Sequence, residues 1–106
     1  MDDQYLLTPF FLDQPLEGLL PLAQEDWRII RPDLPTGDGE ARRDMQRMTM
    51  LYDNLAEGVS KTVAAGRRPV SIAGDCCTTI GVLAGLQRAG LAPSLLWLDA
   101  HGDLSP

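Results

Sequence analysis

The chain has 106 residues, 44% of them hydrophobic, enough for one modest core and therefore for a single domain spanning residues 1 to 106. Its formal charge of −6 and sequence pI near 4.5 exclude a nucleic-acid surface, which needs clustered Lys and Arg to displace counterions; Arg67-Arg68 is too small a basic spot to serve. No apolar run approaches the about twenty residues of a membrane span, and the acidic start Met1-Asp2-Asp3 lacks the positive charge of a secretory signal, so a cytoplasmic location is expected.

Residues Tyr5 to Leu12 are aromatic and aliphatic but interrupted by Pro9, the pattern of a strand that ends in a turn or lies at a sheet edge. Trp27 to Ile30 is a second short strand, followed by a Pro- and Gly-rich loop from Pro32 to Gly39. Ala41, Met45, Met48, Tyr52, Leu55, Val59 and Val63 recur at steps of three and four, which predicts an amphipathic helix from Gly39 to Ala65 with Asp38 as its cap and Gly66 as its stop. On this pattern the methionines pack in the core.

Pro69 to Ala73 reads as a short apolar strand, broken by Gly74-Asp75 before a helix from Thr79 to Ala89 that Thr78 is placed to cap. Gly81 and Gly85 weaken that helix by roughly 1 kcal/mol each relative to alanine, so a close approach to the sheet or to a ligand is expected there. After Gly90 and Pro93, Ser94 to Leu98 is apolar at nearly every position, as in a central strand buried on both faces. Strands alternating with helices predict an α/β layer fold with parallel strands, whose ligands bind beyond the carboxyl ends of the strands.

Two chemistry-bearing motifs fall at such ends. Asp99-Ala100-His101-Gly102-Asp103 sets two carboxylates around the only histidine at two-residue steps, so that all three side chains can turn toward one point. Hard oxygens with one imidazole suit manganese better than zinc. The alternative is a polar turn in which His101 is hydrogen-bonded to a carboxylate. The other motif is Gly74-Asp75-Cys76-Cys77. A disulfide between neighbouring cysteines is strained, so reduced thiols are expected; as buried small hydrophobes they would need no chemical role. Asp75 could orient a metal ligand or cap the following helix.

Together, Ala73-Gly74-Asp75-Cys76, Asp99-Ala100-His101-Gly102-Asp103 and the lead-in Arg67-Arg68-Pro69-Val70 resemble the manganese ureohydrolases, the arginase, agmatinase and formimidoylglutamase family, over roughly residues 40 to 106. The resemblance implies a three-layer α/β/α fold with a mainly parallel sheet, of which this chain is the amino-terminal, truncated portion. It also implies hydrolysis of a linear amidine or guanidine C–N bond with two manganese ions. Asp99 would bridge the ions, with His101 and Asp103 each a ligand of one of them. Cys76 stands where the family places a histidine ligand.

In the resembled family two further aspartates come from a later Asp-x-Asp motif, and two later strands separate the Gly-Asp-Cys strand from the Asp-Ala-His strand. A chain of 106 residues would then pair these two strands directly or fill the gap by homo-oligomerisation. The competing expectation is a non-catalytic relative serving as an assembly or regulatory module.

Overall fold

Strand β1, Asp3–Thr8, carries the sheet, because it is hydrogen-bonded on both edges. The computed structural model describes residues 2–12, 14–32 and 41–98. On one edge, Leu6 and Leu7 pair in parallel with Arg28 and Ile29 of a two-residue strand; on the other, Asp3 through Thr8 pair in parallel with Arg68 through Ala73. Between them the chain makes a small antiparallel hairpin, β2 (Phe10–Phe11) with β3 (Gln14–Pro15), and a 3₁₀ turn over Glu17–Leu22. With the Arg28–Ile29 strand as β4 and Arg68–Ala73 as β5, the sheet order is β4-β1-β5.

Pro9 does break the first apolar run, as expected, and the break separates two pairings: β1 belongs to the parallel sheet and β2 to the hairpin. The long helix, α1, runs from Ala41 to Ala64 and is stopped by Gly66, whose φ of 75° only glycine adopts without strain. Its buried face differs from the expected stripe. Leu51, Leu55, Ala56 and Val59 are buried, whereas Met45 is 65% exposed and Met48 and Met50 are half-buried. The core therefore joins Leu6, Phe10 and Ile30 to Leu51, Leu55 and Val59, each side chain contributing roughly 1.5–3 kcal/mol on full burial.

Helix α2, Thr79–Arg88, adds Val82 and Leu86 to the same core. Its glycines meet α1 rather than the sheet or a ligand. A Cβ on Gly85 would stand 2.6 Å from both the Ala56 carbonyl oxygen and Val59 Cβ, and one on Gly81 would stand 3.0 Å from the Tyr52 carbonyl oxygen. The glycine face thus lets two helices approach more closely than side chains permit. A parallel sheet flanked by helices is the arginase-like α/β arrangement, and the described elements supply the sheet and one helical layer of it.

The predicted central strand at Ser94–Leu98 does not form. Residues 91–98 have no regular secondary structure, and Leu95, Leu96, Trp97 and Leu98 are 61%, 80%, 44% and 86% exposed. Nor does this segment pair directly with β5, whose outer edge has no strand partner among the described residues. A strand buried on both faces needs neighbours on both edges and layers above and below, and apolar composition alone supplies neither. Among the described residues no helix is long and apolar enough to cross a membrane.

Candidate functional site

Thr8 and Ala73 pair at the carboxyl ends of β1 and β5, so the residues that follow them share one edge of the sheet. Gly74 is required there by close approach: a Cβ would lie 2.4 Å from the Phe10 carbonyl oxygen and 2.5 Å from Leu16 Cδ1. The chain leaving β5 is thereby pressed against the start of the hairpin.

Asp75 fixes what comes next. Its Oδ1 accepts from the Thr78 backbone N–H and from the Thr78 hydroxyl, both at 3.0 Å, and its Oδ2 accepts from the Leu12 backbone N–H. Leu12 has a φ of 55°, a conformation uncommon outside glycine, so the carboxylate stabilises a strained corner as well as capping the 3₁₀ turn Cys76–Thr78. Thr78, expected as the cap of α2, makes no side-chain cap bond. Of the two roles open to Asp75, the contacts present are those of a cap.

Cys76 and Cys77 open this turn as free thiols, and both are exposed rather than buried as small hydrophobes. Partial desolvation, then the negative charge of Asp75 and the neighbouring Cys76, push the Cys77 thiol above its ordinary value. Two further groups belong to this end of the sheet. The Thr8 hydroxyl and the Tyr52 hydroxyl are enclosed and have no hydrogen-bond partner among the described residues. Desolvation first, and then the charges of Asp75, Cys77 and Cys76, hold the Tyr52 phenol above its ordinary value, so it stays a proton donor.

Sequence reasoning missed both hydroxyls. Tyr52 was absorbed into the apolar stripe of the helix, although buried tyrosine oxygens ordinarily find partners. Thr8 had one usable signal, its place at the carboxyl end of the first strand.

Asp99, His101 and Asp103 lie outside the described residues. Among the described residues no group of three or more His, Cys, Asp and Glu side chains converges to hold a metal. The one implied ligand in that region, Cys76, offers soft sulfur where manganese prefers oxygen and nitrogen. Asp75 has both oxygens occupied by N–H and O–H donors. The described side of the site therefore does not fit manganese.

A family model described as the arginase family matches residues 22–106. The chain is 32% identical to an arginase of Bacillus caldovelox over 81 residues, which cover 69% of this chain and 27% of that protein. It is 32% identical to an arginase of Brevibacillus brevis over 66 residues, covering 62% and 22% of the two. Mitochondrial arginase-2 of Bos taurus is 34% identical over 56 residues, covering 53% and 16%. The chain thus spans from 16% to 27% of the length of these curated relatives. No solved structure gives a significant match.

Proposed function

The chain belongs to the arginase family, and from that premise we propose that it forms part of a metal-dependent hydrolase acting on the C–N bond of a small linear amidine or guanidine. The observation that carries this reading is the Asp99-Ala100-His101-Gly102-Asp103 motif within the family match. Its two carboxylates and one imidazole are a donor set suited to manganese. In that reading Asp99, His101 and Asp103 hold the metal, whose chemistry is to supply a hydroxide nucleophile near neutral pH. Cys76 is the lesser candidate ligand, its sulfur being a poorer donor for manganese than oxygen or nitrogen, and Asp75 fixes the turn that carries it. The protein would act in the cytoplasm as a homo-oligomer.

A second reading is favoured by the exposed apolar segment. Leu95, Leu96, Trp97 and Leu98 are exposed, and the β5 edge of the sheet is unpaired among the described residues. Such a surface supports an assembly or regulatory module that recruits another chain.

Calorimetric titration of the chain with manganese, beside His101→Ala and with native mass recorded on the same sample, separates the two. The hydrolase reading expects binding that His101→Ala abolishes, followed by urea release from a guanidino substrate. An oligomer that takes up no manganese would overturn it in favour of the module.

A further inference from the structure

A cavity of about 120 Å³ lies beyond the carboxyl ends of β1 and β4, walled by Pro9, Phe10, Pro15 and Leu20 and bounded by Glu17 and Arg31. Parallel sheets take their ligands at such ends, and this one is on the opposite side of β1 from the turn that follows β5. The walls are preformed. Pro9 and Phe10 are buried, Phe10 is paired with Pro15 across the hairpin, and the Leu16 N–H donates to the Pro9 carbonyl at 2.7 Å. The backbone of Arg31 is held as well, its carbonyl accepting from the Asn54 side-chain amide at 2.7 Å. Two proline rings fix their own φ, so little ordering of the chain remains to oppose a guest.

Glu17 and Arg31 carry opposite charges on this one cavity, yet neither charged group has an ion-pair or hydrogen-bond partner among the described residues. In so small a space both can reach a single guest. A guanidinium takes a carboxylate through two parallel N–H bonds, and a carboxylate accepts from an ammonium group. The formal charge of −6 disfavours a simple anion, so a carboxylate enters best with its own positive charge attached. The volume is that of about four waters at about 30 Å³ each, room for a molecule the size of glycine or alanine. Apolar walls favour the methyl group of alanine.

We infer that this cavity binds a small free α-amino acid, with Arg31 on its carboxylate, Glu17 on its ammonium group and its short side chain against Pro9, Phe10 and Leu20. The guest bridges two charges that are not paired with each other. This inference does not depend on the hydrolase reading, because none of the six residues belongs to the donor set proposed for the metal.

The test is titration of the isotope-labelled full chain with alanine, read from the amide chemical shifts. Saturable shifts in the millimolar range are expected, concentrated at Phe10, Glu17, Leu20 and Arg31. Arg31→Gln and Glu17→Gln should each weaken binding by about tenfold, and Leu20→Trp, which fills the cavity, should abolish it. Propionate and ethylammonium, each carrying one of the two charges, should bind at least about tenfold more weakly than alanine. Both charged side chains are exposed, so their variants should keep the parent spectrum away from the cavity. No saturable shift with alanine, or equal binding of propionate or ethylammonium, would overturn the site. So would an alanine affinity unchanged in both charge variants, a result that does not depend on Leu20→Trp folding.

Discussion

The two ends of the β1/β5 pair are built on opposite terms. At the amino end every polar group named has a use. Arg68 makes a forked ion pair with Asp3 at 2.8 and 3.1 Å. Arg67 donates to the Asp3 carbonyl at 2.7 Å and to the Gln4 side chain, whose amide in turn donates to the Asp26 carbonyl at 2.8 Å. The basic pair Arg67-Arg68 is consumed in holding the sheet together. At the carboxyl end the Thr8 and Tyr52 hydroxyls have no partner among the described residues, and two thiols face solvent. Polar groups satisfied internally make structure, whereas polar groups left over make a place for a ligand.

Substitutions can break or sharpen this contrast. Gly74→Ala should have the largest effect, a loss of about 2–3 kcal/mol read from the urea midpoint, because the added Cβ meets backbone that has no rotamer to yield. Arg67→Ala should cost about 1.5–2 kcal/mol in the same measurement by removing charge-assisted hydrogen bonds at the amino end. Asp75→Ala should cost about 1 kcal/mol through the lost cap, and it should also raise the amide exchange rate of Leu12, whose N–H loses its acceptor. A variant of Asp75 that left Leu12 exchange unchanged would show that the carboxylate does not hold that corner.

The smallest effect is expected for Asp3→Asn, and it should depend on pH. The hydrogen bond and charge of Arg68 hold the Asp3 carboxyl below its ordinary value of 3.8. Stability from this pair is therefore fully present above that value and is lost as pH falls through the lowered one. The difference between parent and Asp3→Asn in urea midpoint should accordingly be visible at neutral pH and close in strong acid. A difference that widened in acid would contradict the assignment.

What was legible in the sequence was local. The α1 period, its glycine stop and the apolar β5 run each rest on neighbours in the chain, and the observed spans, Ala41–Ala64 and Arg68–Ala73, lie close to the expected ones. What was not legible depended on distant partners. Ser94–Leu98 has strand composition, but no strand pairs with it among the described residues. Met45 has the right spacing, yet the sheet contacts a face that begins at Leu51. Gly81 and Gly85 announced a close approach without saying to what, and the answer was α1. For the site, Asp75 and the cysteines were legible as a motif, whereas Tyr52 joins them only because α1 lies across the sheet.

The central position of β1 also has a consequence for the newly made protein. Its partner in β5 is 65 residues away along the chain, the separation between Asp3 and Arg68. At translation rates of about 5–20 residues per second, roughly 3–13 seconds pass before the second strand even exists. During that interval Leu6 and Leu7, fully buried in the finished sheet, lack their β5 partner, while α1 can already coil from its own sequence. Order of synthesis thus leaves for later the partner that the most deeply buried strand requires.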